Sequence, residues 1–337
     1  MMRNEKIDFY KGLLMLGVIW GHLITNLLCG EPNTISIHWI FRTYDMPMFM
    51  LISGYFLSHS LQKRSSAQLF FDKITTILFP TVLGCVGYCL MYKHLNVSKH
   101  LYFLWAIFVC SEIIIICNFV KRKTVKYFLM TIPLILLHLT SRRFFNLSYL
   151  YPFFLLGFSG FGLNGKIFDN NKKYFVFLFI ALLCFWSTKY TIWKVSSNLR
   201  FADLHTIFII VFRLFIGCIG CIAAMHIFDI LFEFMVKRKS WLYTFIIKSG
   251  KETLALYIFQ DYICFVLIKR IANHIENIMG YNIFNFNESF LGYVIAPTLA
   301  LIIMALILRV TEIIKSNKYT TKLLGFKIIL PYHKLLK

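Results

Sequence analysis

The fold is decided by residues 7–28, which read IDFYKGLLMLGVIWGHLITNLL. This stretch predicts a membrane-spanning helix, because about 20 mostly apolar residues cross the hydrocarbon core of a bilayer. It also carries Asp8, Lys11 and His22. Ionisable groups are costly at bilayer depth, so they mark positions where function is expected. We expect a retained first helix rather than a cleaved signal peptide, since no small-residue cleavage site follows.

The composition of the whole chain agrees with this first segment. Hydrophobic residues make up 58% of the 337 residues and charged residues 15%, whereas a soluble domain usually carries about 25% charged residues. We therefore predict an all-α polytopic membrane bundle that forms one domain over residues 1–337, with no separate soluble domain. About ten transmembrane helices are expected from segment length, over residues 7–28, 37–59, 68–92, 100–120, 125–141, 147–163, 173–191, 204–233, 252–271 and 289–314.

The formal net charge of +21 comes from lysine and arginine residues that cluster in loops between apolar segments. That distribution follows the positive-inside rule, which places both termini in the cytoplasm and requires an even number of helices. It speaks against nucleic acid as a partner and for the lipid bilayer. No metal site is expected either, because Cys218 and Cys221 form their C-x-x-C inside an apolar stretch and are interpreted as packing residues.

Polar residues of the first two predicted helices lie at related depths. Lys11 and His22 are eleven positions apart, so they share a helix face at levels roughly 16 Å apart. Asp45 falls at nearly the depth of His22 in the second helix. It can orient the His22 imidazole, or it can pair with Arg42 three residues earlier. Ser53 supplies a hydroxyl where the adjacent glycine permits close helix approach.

Several short motifs, taken in order, resemble the membrane acyltransferase-3 family, in particular its fucose O-acetylase-like branch. They cover nearly the whole chain, and the first two together are the most specific. The motifs are KIDFYKG at 6–12, MPMFMLISGYF at 46–56, FDKITTILFP at 71–80, YPFFLLG at 151–157 and GKETLALYI at 250–258.

This resemblance implies an O-acyltransferase of the bacterial plasma membrane. The implied donor is acetyl-CoA, and the implied acceptor is a hydroxyl of a cell-surface polysaccharide or of its lipid-linked precursor. The family's basic residue and histidine correspond to Lys11 and His22. In this interpretation His22 acts either as the base or as a transient acyl carrier, and Asp45 fixes its tautomer.

The remaining candidate residues contact the two substrates. Lys11 and Lys73 are expected to attract the CoA phosphates. Arg42, or the loop residues Arg142 and Arg143, are expected to stabilise the developing oxyanion, and Ser53 is a further candidate for substrate binding.

The chain departs from the family pattern at two positions. Thr76 stands where a second basic residue is common, and Gln260 replaces a histidine and cannot shuttle a proton. Two other functions stay open on the residues alone. A glycan exporter without acyl transfer accounts equally well for charged groups inside the membrane, and a structural or partner-binding membrane protein is the third possibility.

Overall fold

The computed structural model describes residues 4–27, 36–92, 101–139, 146–161, 176, 178–180, 204–238, 240–268, 270–271, 274, 277–278 and 290–316. Within these ranges all regular secondary structure is helical and no strand occurs, so the predicted all-α class is confirmed. The helices are α1 Glu5–Leu27, α2 Ser36–Leu61, α3 Ser66–Lys73, α4 Phe79–Tyr92, α5 Tyr102–Asn118, α6 Lys123–Leu139, α7 Leu147–Phe158, α8 Leu204–Arg238, α9 Trp241–Lys251, α10 Thr253–Tyr262 and α11 Ala296–Ser316.

Three π-helical turns lengthen these elements. Ile74–Leu78 joins α3 to α4, Ile263–Ile268 extends α10, and Leu291–Ile295 leads into α11. Four of the resulting helices are long and apolar enough to cross a membrane, namely Glu5–Thr25, Ser66–Met91, Ile210–Arg238 and Leu291–Ser316.

Nine of the ten predicted segments coincide with described helices, and most of the tenth, 173–191, lies outside the described residues. Helix α9 was not predicted as a separate element, because lysine and serine lower the hydropathy of its sequence. It forms because Ser240 caps its first turn, where the serine Oγ accepts a hydrogen bond from the backbone N–H of Tyr243 at 3.2 Å. A serine cap of this kind satisfies a backbone donor that the helix leaves without a partner.

Two close helix crossings hold the bundle together, and glycines make both possible. At the crossing of α2 and α7, a Cβ on Gly54 would collide with the backbone of Phe154, and one on Gly157 with the backbone of Leu51. Gly12 of α1 and Gly250 of α9 form an equivalent crossing, where an added Cβ would likewise meet the backbone of the other helix. Small residues let helices approach to backbone contact, which favours packing inside a membrane.

Contacts along α1 give the bundle two distinct ends. Phe56 of α2 lies beside Lys11, and its His38 lies against Gly21, so α2 runs antiparallel to α1. Helix α10 runs parallel to α1, because Gly250, shortly before its first residue, lies against Gly12, and Phe265 of its π-helical extension lies against His22. We refer below to the Lys11 end and the His22 end of the bundle.

Candidate active site

A cavity of about 280 Å³ opens at the His22 end. Its walls come from α1, α2 and α8 and from the first residues of α5 and α7. The polar lining residues are His22, His38, Arg42, Asp45, Tyr102, Asn146, Tyr149 and Arg213, and the others are Val18, Gly21, Phe41, Met46 and Leu150. The predicted residues His22, Arg42 and Asp45 therefore meet in one cavity.

His22 is half-buried at the wall of this cavity. Its ring makes an edge-to-face contact with Phe265, with 5.0 Å between ring centroids. The charges of two side chains act on it, the carboxylate of Asp261 and the guanidinium of Arg42. Asp261 lies one helical turn before Phe265 and is only 7% exposed. The imidazole is thus held by an aromatic ring on one side and faces fixed charges of both signs.

The side chain of Asp45 is hydrogen-bonded to the backbone of its own helix. Its Oδ1 accepts a hydrogen bond from the backbone N–H of Met46 at 2.6 Å, and the charge of Arg42 acts on it. Of the two partners open for Asp45 from the sequence, Arg42 is the one whose charge acts on its carboxylate. Asp261, from a helix remote in sequence, is the carboxylate whose charge acts on His22. The sequence carried no signal for that proximity, because it does not specify which helices lie side by side.

His38 is a second histidine of the cavity that sequence reasoning did not select. It is 3% exposed, and its ring lies over α1, where a Cβ added to Gly21 would come within 3.6 Å of Nδ1. The ring is hydrogen-bonded to the Gly21 backbone and lies in the field of Arg42 and His22. Counting residues from the start of α2 could have identified His38, because α2 begins at the end of the bundle where His22 lies.

Arg213 of α8 brings a second guanidinium to the cavity. Its Cζ stacks over the ring of Tyr149, 4.2 Å from the centroid. The positive charge of Arg42 acts on it as well. A planar guanidinium on an aromatic face combines cation–π attraction with a fixed orientation. Arg213 is not among the site residues predicted from the sequence.

Lys11 does not line the cavity. It forms a 2.7 Å ion pair with Asp8, which is 2% exposed, and its ammonium lies 5.8 Å from the centroid of the Phe56 ring. Asp8 and Lys11, three residues apart on α1, thus neutralise each other at this end of the bundle. A separate pair lies nearby at the same end, where Lys6 and Asp229 approach to 2.6 Å.

The other predicted site residues lie elsewhere. Lys73 ends α3, where its charge acts on the buried carboxylate of Glu112. Ser53 lies about two turns beyond Asp45 along α2 and does not line the cavity. Arg142 and Arg143 lie outside the described residues.

The two departures from the family pattern have local roles. The hydroxyl of Thr76 donates to the carbonyl oxygen of Asp72 at 2.5 Å, within its own helix. Gln260 is 1% exposed, and its Nε2 donates to the carbonyl oxygen of Tyr257 at 3.4 Å. Both side chains thus bond to the preceding turn of their helix.

This combination of groups suits acyl transfer. Such a reaction needs a base for the attacking hydroxyl and donors for the oxyanion that forms at the carbonyl. The imidazole of His22 is the base candidate, and the guanidinium of Arg42, exposed in the cavity, is the donor candidate.

Comparison with known proteins gives one family and two relatives. Residues 4–309 match the family described as "Acyltransferase domain", acyltransferase 3. Nodulation protein NolL of Sinorhizobium fredii is 27% identical over 183 residues, 46% of this chain and 48% of that protein. NolL of Mesorhizobium japonicum is 26% identical over 176 residues, 46% and 47% of the respective chains. The chain spans about half the length of the curated relatives it matches, and no solved structure matches it.

Proposed function

Because this chain belongs to the acyltransferase-3 family, we propose that it is a membrane O-acyltransferase of the bacterial plasma membrane. It transfers an acetyl group from acetyl-CoA to a hydroxyl of a cell-surface polysaccharide or of its lipid-linked precursor. The observation that carries the proposal is the cavity itself, which places His22 and Arg42 around one space large enough for reacting groups.

In the proposed reaction His22 removes the proton of the acceptor hydroxyl as its oxygen attacks the thioester carbonyl carbon. The carbonyl oxygen gains negative charge, and the guanidinium of Arg42 stabilises it. The charges of Asp45 and Arg42 act on each other, and we assign Asp45 the role of orienting this guanidinium. The carbon–sulfur bond then breaks, the carbonyl re-forms as an ester, and the leaving sulfur of CoA takes the proton from His22.

The donor enters from the Lys11 end in this proposal. Lys11 and Lys73 carry the positive charge expected to attract the CoA phosphates. Since Lys11 and His22 lie roughly 16 Å apart along α1, the thin pantetheine arm must extend through the bundle to present the thioester. The pairing of Lys11 with Asp8 fixes the position of the ammonium that meets these phosphates.

Ten membrane-spanning helices with both termini in the cytoplasm complete the proposal. Helix α2 runs antiparallel to α1, and α10 runs parallel to α1. The positive-inside distribution of lysine and arginine supports a cytoplasmic Lys11 end. The donor would then be cytoplasmic and the cavity would face the outer side.

A transfer assay tests the function. Inside-out membrane vesicles containing the protein and its native glycan are supplied with acetyl-CoA labelled in the acetyl group. We expect label to enter the glycan or glycolipid fraction as an ester that mild alkali releases, well above vesicles lacking the protein. An exporter without acyl transfer would leave the label in CoA while glycan still crossed the membrane, and that result would contradict the proposal.

A further inference from the structure

The charge inside the cavity points to a property of the acceptor. Among the lining residues that the structure describes, two are arginines, Arg42 and Arg213, and one is a carboxylate, Asp45. Asp45 accepts a hydrogen bond from the backbone of Met46, and the charge of Arg42 acts on it. Charged residues within membrane segments are costly and are kept where they bind or move a charged partner. Within the described lining, positive side chains therefore outnumber negative ones by one, which favours binding of an anion.

Arg213 is the more suitable anion-binding group of the two. Its guanidinium is stacked on Tyr149 at 4.2 Å, so its orientation is set before any ligand arrives. A planar guanidinium offers a fork of parallel N–H donors that matches the two oxygens of a carboxylate or a phosphate. Arg42, by contrast, lies in the field of Asp45 and is assigned to the oxyanion in the proposed reaction.

The N-terminal ends of two helices at the cavity add to its positive electrostatic potential. Tyr102 is the first residue of α5 and Asn146 immediately precedes α7, and both line the cavity. No side chain caps the first turn of either helix among the residues described here. The N-terminal end of a helix carries partial positive charge from its backbone N–H groups. Both helices thus reinforce the potential that the two arginines create.

We propose that Arg213 forms an anion subsite in this cavity and that the acceptor carries the matching anionic group, a sugar carboxylate or the phosphate of a lipid-linked sugar. This inference rests on the proposed acyl transfer for the identity of the ligand as acceptor. The negative group binds at Arg213 and positions the neighbouring sugar hydroxyl toward His22. Arg213 is a specificity-determining residue in this arrangement, not a group that touches the reacting carbonyl.

Binding to the detergent-purified full-length protein tests the subsite without requiring turnover. The probes are a neutral oligosaccharide, the same oligosaccharide ending in glucuronate, and the neutral one linked to a polyprenyl pyrophosphate. We expect at least one anionic probe to bind tenfold or more tightly than the neutral one. The anionic probe that does so identifies the source of the charge. Arg213→Gln is expected to weaken its binding by roughly 10- to 100-fold, as for loss of a charged hydrogen bond, and Arg213→Lys to restore part of it.

Arg309→Gln is the matched control, because Arg309 is an exposed arginine of α11 with its own partner, Glu312, at 3.3 Å. The inference is overturned if all three probes bind equally, or if the anionic preference survives Arg213→Gln. It is also overturned if excess CoA displaces the anionic probe, since the donor would then occupy the subsite. Failure of the transfer assay with intact anionic preference would contradict the proposed reaction and leave the subsite standing.

Discussion

His22→Ala is expected to lower acetyl transfer by about 10²- to 10⁴-fold, the range associated with loss of a positioned general base. The substitution removes the imidazole that lies at the cavity wall against Phe265. The rate of ester formation on the glycan, measured per amount of inserted protein, checks this expectation. Binding of both substrates should change little, because the proton is removed only in the transition state.

His274→Ala serves as the control for that experiment. His274 is exposed and does not line the cavity, so its replacement should leave transfer at the wild-type rate. If His22→Ala transferred acetyl groups normally while the protein was inserted and folded, His22 would be a structural residue and the proposed mechanism would be wrong.

Arg42→Gln is expected to lower the maximal rate by about 10²- to 10³-fold, as found when a single oxyanion donor is removed. Glutamine keeps a hydrogen-bonding group but removes the positive charge that acts on His22 and Asp45. The expected signature is a lower kcat with a nearly unchanged KM for acetyl-CoA, measured by steady-state release of CoA thiol in the presence of acceptor.

Arg64→Gln is the control for this change. Arg64 is exposed and pairs with Asp72 at 2.5 Å, outside the cavity. A result in which Arg42→Gln raised the KM for acetyl-CoA and left kcat intact would place Arg42 at the donor phosphates instead of the oxyanion.

Most of the helices could be predicted from the sequence, because apolar length alone decides which segments enter a bilayer. Helix α9 escaped this criterion, since its stability comes from the Ser240 cap and from close packing of Gly250 against α1. Neither the cap nor the crossing changes hydropathy. Short polar helices that are stabilised by tertiary contacts lie beyond what hydropathy predicts.

Part of the candidate site could also be predicted from the sequence. His22, Arg42 and Asp45 lie on consecutive antiparallel helices, so counting residues from the connecting loop brings them to similar depth. Arg213 and Asp261 come from helices far along the chain. Their approach to the cavity depends on lateral packing around α1 and α2, which periodicity within each helix does not encode.

The cavity at the His22 end is the proposed place of acetyl transfer, and filling this cavity with a larger side chain tests the proposal most directly. Met46 lines the cavity and is half-buried, whereas Met91 of α4 is 48% exposed and remote from it. The measurement is the acetyl-transfer rate of Met46→Trp, compared with Met91→Trp at equal amounts of inserted protein. We expect Met46→Trp to reduce transfer at least tenfold, because the indole occupies the space of the reacting groups, and Met91→Trp to behave as wild type. Wild-type transfer by folded Met46→Trp would show that the reaction takes place elsewhere.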